Sequence, residues 1–326
     1  MIIDNYKRVH TYLRISLTDN CNLRCFYCMP EEHYEFTPMA RLMQPDEIEA
    51  IAKIFVNEGV NKIRLTGGEP FVRKDAGDII LRLSKLPVKL TLTTNATRTH
   101  HFIDILEKAN IHSLNISLDT LHADRFQLIT KRDLFKQVFD NIQLLIDKKF
   151  KVKINVVVMK GINDDEIVDF IEWTKHSDIE VRFIEFMPFD SNHWTSGKVF
   201  TLKEMMTVIE KKYTVVRLEN DVHDTSKKYK IENHLGTFAI ISTMSAPFCS
   251  GCNRIRLTAD GKIKNCLFSE SETDLLTPFR NGEDILPLIN QNIRSKAKEL
   301  GGQFTKDFEK IHSEDLHNRS MIAIGG

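Results

Sequence analysis

Short runs in which apolar and polar residues alternate recur through roughly the first 190 residues, separated by stretches whose apolar positions fall at helical spacing. The runs at 12–17, 62–66, 89–94, 113–118, 151–158 and 180–187 predict strands. The stretches at 45–58, 75–85, 100–109, 133–149 and 164–176 predict helices. Pro45-Asp46-Glu47 and Asn163-Asp164-Asp165-Glu166 read as helix starts, with acids near the positive end of the helix dipole. Six strand–helix repeats predict an α/β fold, a parallel sheet curled into an incomplete (βα)6 TIM-like barrel. A flat doubly wound sheet is the alternative.

The alternation says more than the strand count. Leu13, Ile15 and Leu17 share one face of the first run, and Arg14, Ser16 and Thr18 the other. Ile63 and Leu65 oppose Lys62, Arg64 and Thr66; Leu90 and Leu92 oppose Thr91, Thr93 and Asn95. Asn115, Ser117 and Asp119 share a face in the fourth run, and Lys153 and Asn155 in the fifth. Parallel strands covered on both faces read as nearly continuous apolar sequence. A polar face in each run therefore predicts an interior that is wet or liganded, cationic and hydroxyl-lined, suited to a large anionic substrate. An exposed sheet face is the bland alternative. The sixth run fits less well: Arg182 shares its face with Ile184 and Phe186, which allows a bulge or a shifted register.

The six cysteines form two trios. Cys21, Cys25 and Cys28 follow the first strand, at the sheet edge where α/β proteins place reactive groups. Three thiolates can hold three irons of a cubane cluster and leave the fourth open to a small molecule; a zinc knot or buried free thiols are the alternatives. The next loop on that edge is Thr66-Gly67-Gly68-Glu69-Pro70. Its glycines allow close backbone approach and Glu69 offers an acceptor for an amine, although a tight turn explains the loop equally well. Cys249, Cys252 and Cys266 form the second trio. The intervening R-I-R-L-T-A-D-G-K-I-K-N predicts a hairpin around Ala259-Asp260-Gly261. Folding there sets Cys252 opposite Cys266, about one strand spacing or roughly 5 Å apart, with Arg254 and Arg256 on one face. Zinc with an outside ligand and a second cluster both remain open.

The 45 basic and 45 acidic residues cancel, which argues against a nucleic-acid coat or a membrane-surface protein. The start M-I-I-D-N-Y-K-R lacks an apolar signal core and no run has the length of a membrane span, so a cytoplasmic location with reduced thiols is expected. The segment 196–248 carries few motifs, and its charged stretch 217–232 reads as surface loop and edge strand.

C-x3-C-x2-C after the first strand, with G-G-E-P after the second, resembles the radical S-adenosylmethionine (SAM) superfamily. Within it the chain resembles the GTP 3′,8-cyclase family of molybdenum cofactor biosynthesis. The likeness spans L-R-I-S-L-T-D-N-C-N-L-R-C-F-Y-C-M-P, K-I-R-L-T-G-G-E-P, L-T-T-N, N-I-S-L-D, K-I-N-V-V, V-R-F-I-E-F-M and F-C-S-G-C-N-R-I-R-L-T-A-D-G-K, to Gly325-Gly326. It implies a radical SAM barrel over 1–195 and a C-terminal α+β extension over 196–326 that carries a second Fe–S cluster. The implied cofactors are two [4Fe–4S] clusters, on Cys21, Cys25 and Cys28 and on Cys249, Cys252 and Cys266, together with SAM.

Tyr27, Gly67, Gly68, Glu69, Ser117 and Met187 match SAM positions, although strand parity turns Met187 toward the helices. Arg14, Lys62, Arg64, Thr93, Lys153, Arg182, Arg254 and Arg256 match positions for GTP, and most of these are the inward polar positions. The first trio, Arg14, Arg254, Arg256 and a tail of Gly325 and Gly326 entering the active site would carry the chemistry. The implied reaction converts GTP to (8S)-3′,8-cyclo-7,8-dihydroguanosine 5′-triphosphate, with 5′-deoxyadenosine and methionine formed from SAM. The implied partners are a second copy in a homodimer, an electron donor that the sequence does not identify, and cyclic pyranopterin monophosphate synthase as recipient of the product. Ala96 stands where the family has Gly, so that loop's geometry is open. A peptide-modifying radical SAM enzyme with an auxiliary cluster and a zinc-stabilised binding module are the rival readings.

Overall fold

The computed structural model describes residues 1–29, 34–304, 307–311 and 317–325. All six alternating runs are strands: β1 (Tyr12–Ser16), β2 (Lys62–Thr66), β3 (Lys89–Thr94), β4 (Ser113–Ser117), β5 (Lys151–Val158) and β6 (Ile179–Glu185), each parallel to the next. The crossovers hold α1 (Pro45–Asn57), α2 (Ala76–Leu83), α3 (Ile103–Lys108), α4 (Ala123–Thr130), α5 (Phe135–Asp147) and α6 (Ile167–His176). The sequence reading missed α4. It is a two-turn helix that buries only Phe126, Ile129 and Thr130, too few positions to show a period.

The later strands are β7 (Val215–Arg217), β8 (Lys227–Ile231), β9 (Thr237–Ile241), β10 (Arg254–Leu257), β11 (Lys262–Lys264) and β12 (Thr273–Asp274), with helices α7 (Leu202–Glu210), α8 (Leu276–Arg280), α9 (Leu286–Arg294) and α10 (Met321–Ile324). They extend both edges of the parallel sheet, because β9 pairs parallel with β6 and β10 pairs parallel with β1. Among the described residues the result is one mixed sheet in the order β12-β11-β10-β1-β2-β3-β4-β5-β6-β9-β8-β7. Within the charged stretch 217–232 the strand, β8, is an inner one, and β7 takes the edge.

Register explains why the faces stay sorted. Leu257, Ile15, Leu65, Leu92, Leu114, Val152 and Ile179 lie in one row across successive strands, all buried in a core shared with Phe55 of α1, Ile80 of α2, Leu145 of α5 and Phe170 of α6. Each such side chain contributes about 1.5–3 kcal/mol by leaving water. A slip of one residue would expose the row and drive Arg14, Arg64 and Lys153 into the apolar layer.

The sixth strand keeps this register without a bulge, from Val152↔Ile179 to Val158↔Glu185. It ends at Glu185, so Phe186 and Met187 lie beyond it and the parity assigned to Met187 does not apply. Glu185 is fully buried and accepts from Leu202 N at 2.8 Å, Met244 N at 2.8 Å, Ser245 N at 2.9 Å and the Ser245 hydroxyl. Ala96 does adopt a left-handed backbone, with φ 61°. That conformation costs a non-glycine residue about 1–2 kcal/mol. Asn141 holds it in place, donating to the carbonyls of Ala96 at 2.6 Å and Thr97 at 3.2 Å.

The N-terminal segment turns back on itself through the bridge Ile3↔Val9. Asp4 organises it, accepting from Tyr6 N, Arg8 N and Arg8 Nε, and facing His10 Nε2 at 3.1 Å. His10 is fully buried, and burial, then Lys296, pushes its pKa down to about 4. The unfolded chain therefore takes up a proton below about pH 6.5 that the folded chain refuses until near pH 4. The neutral imidazole's contribution is complete above about pH 6.5 and is lost as pH falls toward 4. Thermal unfolding of wild type and His10→Gln at pH 7 and pH 5 is expected to show a gap in melting temperature that narrows at pH 5.

Candidate active site

The first trio sits on a loop tied down on both sides. Cys28 N and Met29 N donate to Cys25 O at 3.0 and 2.9 Å, a tight turn that draws Cys25 and Cys28 together. Arg24 N and Phe26 N donate to Thr130 O and Ile129 O, so the end of α4 braces the loop. The paired-glycine loop lies along its root. Gly68 N donates to Thr18 O at 2.6 Å and Glu69 N to Asn20 O at 2.8 Å. A Cβ at Gly68 would stand 2.4 Å from Asn20 O, so only glycine permits this approach.

All six cysteines are free thiols. Burial, then Glu69, pushes Cys21 up to about 11; burial, then Asp119, pushes Cys25 well up; burial, then Cys21 and Asp119, pushes Cys28 up. These thiols keep their protons until a metal displaces them. A single zinc gathers its donors within about 2.0–2.3 Å of one point. Among the described residues no three His, Cys, Asp or Glu groups are arranged to hold one ion. Three free thiols on one loop are the donor set of an iron–sulfur cubane, one sulfur to each of three irons. Leu23 N and Asn95 Nδ2 donate to Cys21 Sγ at 3.4 and 3.7 Å, as donors to a thiolate would.

Glu69 is fully buried and accepts from Phe71 N at 3.0 Å, Thr94 Oγ1 at 2.8 Å and Asn95 N at 2.6 Å. Burial pushes its carboxyl up to about 7 against the pull of these donors. Most of its acceptor capacity is therefore spent on its own turn and on the end of β3. Tyr27 Oη donates to Asp119 Oδ2 at 2.6 Å, while Val157 N donates to Oδ1 at 2.9 Å. Sequence reasoning placed Asp119 on the polar face without giving it a role at the site. Ser117 closes β4, and Met187 packs with Phe26 and Tyr27 in a second apolar cluster that also takes in Cys249, Cys266 and Ile324. Both cysteine loops thus meet in one cluster.

The eight cations and hydroxyls assigned to the substrate all lie on the polar face of the sheet. Arg256, Arg14 and Arg64 are direct neighbours on β10, β1 and β2. Arg256 and Arg64 are buried at 7% and 8% exposure. Like charges one strand spacing apart repel by about 3 kcal/mol per pair at an effective dielectric of about 20. Burial, with Arg64 and Arg254 adding to it, pushes Arg14 down to about 10; burial, then Arg14 and Arg254, pushes Arg256 well down. Tyr12 relieves part of the strain: it accepts from Arg64 Nε and its ring lies 4.4 Å from Lys62 Nζ. Burial pushes the phenol up, but Arg64, Arg14 and Lys62 outweigh it and bring it to about 8.

On the other side of the sheet face, Lys153 and Arg182 share Glu180, which accepts from Lys153 Nζ at 2.9 Å and from Arg182 Nε. Glu180 was missed, although its parity with Arg182 was the available signal. Thr93 is half-buried beside Asn115 of β4. Asn115 Oδ1 and Asn155 Oδ1 are buried with no hydrogen-bond partner among the described residues.

The second trio begins in the turn before β10, where Cys252 N donates to Cys249 O at 3.1 Å. The hairpin turns at Ala259-Asp260-Gly261 as expected, but it centres on Asp260, one residue beyond the midpoint that would set Cys252 opposite Cys266. Thr258 N donates to Lys262 O at 2.9 Å and Gly261 takes φ 73°, so Arg256 pairs with Lys264. That register sets Arg254, and not Cys252, level with Cys266, which follows the end of β11. Burial pushes Cys249 up. For Cys252 burial is outweighed by Arg254 and Lys296, which bring it down to about 6. Leu300 N donates to Cys249 Sγ and Lys296 Nζ to Cys252 Sγ, each at 3.4 Å. This trio too is furnished with donors for thiolate sulfur.

The C-terminal segment crosses that hairpin. Arg319 grips both oxygens of Asp260 at 3.2 and 2.9 Å and reaches Glu272 at 2.6 Å. Ile322 and Ile324 are buried, and Gly325 O accepts from Arg256 Nη1 at 2.8 Å. Gly325 has φ 79°, and a Cβ there would lie 2.7 Å from Thr66 Oγ1 and 2.8 Å from Ser16 Cβ. Its backbone therefore rests against the polar ends of β1 and β2. Gly326 lies outside the described residues.

Residues 15–174 match the family model described as Radical SAM superfamily, and residues 179–301 that described as Molybdenum Cofactor Synthesis C. A protein of Arabidopsis thaliana named GTP 3′,8-cyclase, mitochondrial, is 44% identical over 100% of this chain and 84% of its own length. One of Listeria welshimeri named GTP 3′,8-cyclase is 39% identical over 100% of this chain and 99% of its own. Human molybdenum cofactor biosynthesis protein 1 is 40% identical over 99% of this chain, which spans only 51% of that protein. Among solved structures, Streptococcus suis SuiB bound to S-adenosylmethionine has a TM-score of 0.65 at 15% identity, covering 96% of this chain and 77% of that one, a likeness of fold. The chain belongs to the radical SAM superfamily, whose members hold a [4Fe–4S] cluster and SAM, and within it to the GTP 3′,8-cyclase family.

Proposed function

We propose that this chain is a GTP 3′,8-cyclase that seats GTP between its two cysteine trios. The row Arg256–Arg14–Arg64 carries the reading: three guanidiniums forced side by side want a polyanion, and a triphosphate supplies roughly four negative charges. Lys62, Lys153, Arg182 and Arg254 extend that field, and Thr93 offers a hydroxyl. The unpartnered oxygens of Asn115 and Asn155 offer acceptors to ligand N–H or O–H groups.

The incomplete-barrel form of the six parallel strands belongs to this reading. Arg182 of β6 acts on Lys62 of β2, although a flat sheet would hold strands four spacings apart at roughly 19 Å. The division at residue 195 belongs to this reading as well; the two family models part earlier, between 174 and 179, ahead of β6.

Cys21, Cys25 and Cys28 would hold one [4Fe–4S] cluster, with Tyr27, Gly67, Gly68, Glu69, Ser117 and Met187 around SAM. Cys249, Cys252 and Cys266 would hold the second, facing the base. With SAM bound, the first cluster would supply the one-electron reduction of SAM from which a hydrogen-abstracting radical arises, to act at the ribose C3′ of GTP. The chain's own residues hold the triphosphate, orient the ribose and exclude water. Arg256 is turned to the tail through Gly325 O, so the tail would fix that guanidinium and narrow the chamber.

The homodimer, the electron donor and delivery to cyclic pyranopterin monophosphate synthase belong to the same reading, on the strength of the family. So does a cytoplasmic location, although the plant relative is named mitochondrial. No helix among the described residues is long and apolar enough to cross a membrane.

Anaerobic incubation of the reconstituted, dithionite-reduced chain with SAM is expected to yield 5′-deoxyadenosine and a cyclised nucleotide when GTP is added. Formation of 5′-deoxyadenosine that ignores GTP would remove the reading. Gly325→Ala, which cannot seat against Thr66, should keep its iron and slow cyclisation about tenfold or more.

A further inference from the structure

The two trios sit in opposite fields. Beside the first stand the carboxyls of Glu69 and Asp119; beside the second stand the cations Arg254 and Lys296. Lys296 is the more unusual of the two. It is only 3% exposed, and its ammonium donates to Cys252 Sγ at 3.4 Å and Arg254 O at 3.0 Å. Among the described residues it makes no ion pair with a carboxylate, and the acidic groups that act on it are Cys252 and Cys266. The other deeply buried lysine, Lys264, has Glu272 at 3.4 Å.

A buried ammonium without a counter-ion is costly, and the fold holds this one in place. Arg8 clamps the segment that bears it, donating to Ala297 O at 2.8 Å and Lys298 O at 2.7 Å, and with the same guanidinium to Cys249 O at 3.0 Å. Asp4 fixes Arg8 in turn at 2.6 Å. The N-terminal turn, the segment after α9 and the Cys249 loop are thereby locked together with the ammonium aimed at sulfur. The arrangement balances only when the trio is anionic, as a set of metal-bound thiolates is.

We propose that Lys296 is the built-in countercharge of the second trio and raises the reduction potential of the iron–sulfur group held there. This rests on the reading of Cys249, Cys252 and Cys266 as cluster ligands. Reduction adds one electron and makes the cluster–thiolate unit one charge more negative. A positive hydrogen-bond donor at a ligand sulfur favours that state. Lys296 is a positioning residue: it acts through Cys252 and touches no reacting atom.

The test is a mediator titration followed by electron paramagnetic resonance on reconstituted full-length chain. A variant with Cys21, Cys25 and Cys28 changed to Ala identifies the second signal. Wild type is expected to hold about eight irons, as two four-iron clusters require. Lys296→Met should keep that content while its second-cluster equilibrium shifts about tenfold toward the oxidised form, a fall of about 59 mV for a one-electron couple. Lys296→Arg, which keeps the charge, should stay near wild type. Should the Met variant fail to fold, Lys296→Gln keeps a donor for Arg254 O and removes the charge, and the same fall is expected. An unmoved midpoint in a fully loaded neutral variant overturns the proposal alone. A wild-type chain that retains only about four irons removes the second cluster itself, and this proposal with it.

Discussion

A four-residue parallel pairing holds the site together. β10 lies against β1 with Tyr12 facing Arg254 and Arg14 facing Arg256. A strand more than 230 residues away in sequence is thus set beside the strand that leads into the first cysteine loop. Without it the second trio, the guanidinium row and the tail that rests on Arg256 would have no common location. The pairing also carries the electrostatic cost, since it adds Arg256 to a sheet face that already holds Arg14 and Arg64. Apolar burial on the opposite face holds that register.

That opposition makes the chamber a site and not merely a cavity. Among the described residues, Tyr12 and Glu180 each relieve cations on this face, and Gly325 O takes up one guanidinium arm. On the proposed reading, an entering polyanion would offset the repulsion among these guanidiniums. Lys296 and Arg254 stand at Cys252, whereas Tyr27 and Asp119 stand beside the first trio, so two similar sets of thiols have different surroundings.

Much of this was legible in the sequence because period-two alternation is a local property. The polar faces of the first five strands, the two cysteine loops and the glycine approach at Gly68 follow from residue order and spacing alone. The sixth strand misled because its end was set too late; with the end at Glu185, Phe186 no longer competes with Arg182. The pairing of Cys252 with Cys266 failed because the three-residue loop with left-handed Gly261 centres the hairpin on Asp260. Pairings between distant segments left no mark of that kind. The joining of β10 to β1, the brace from α4, and the placement of Lys296 and Arg8 at Cys252 and Cys249 depend on tertiary contact, and no spacing rule reaches them.

The central claim is that GTP lies between the trios with its ribose C3′ presented to the SAM-derived radical. Anaerobic turnover with GTP carrying deuterium at C3′, followed by mass analysis of the 5′-deoxyadenosine, tests it directly. The account predicts 5′-deoxyadenosine one mass unit heavier, formed in step with the cyclised nucleotide. Unlabelled 5′-deoxyadenosine alongside consumption of the deuterated GTP would contradict it.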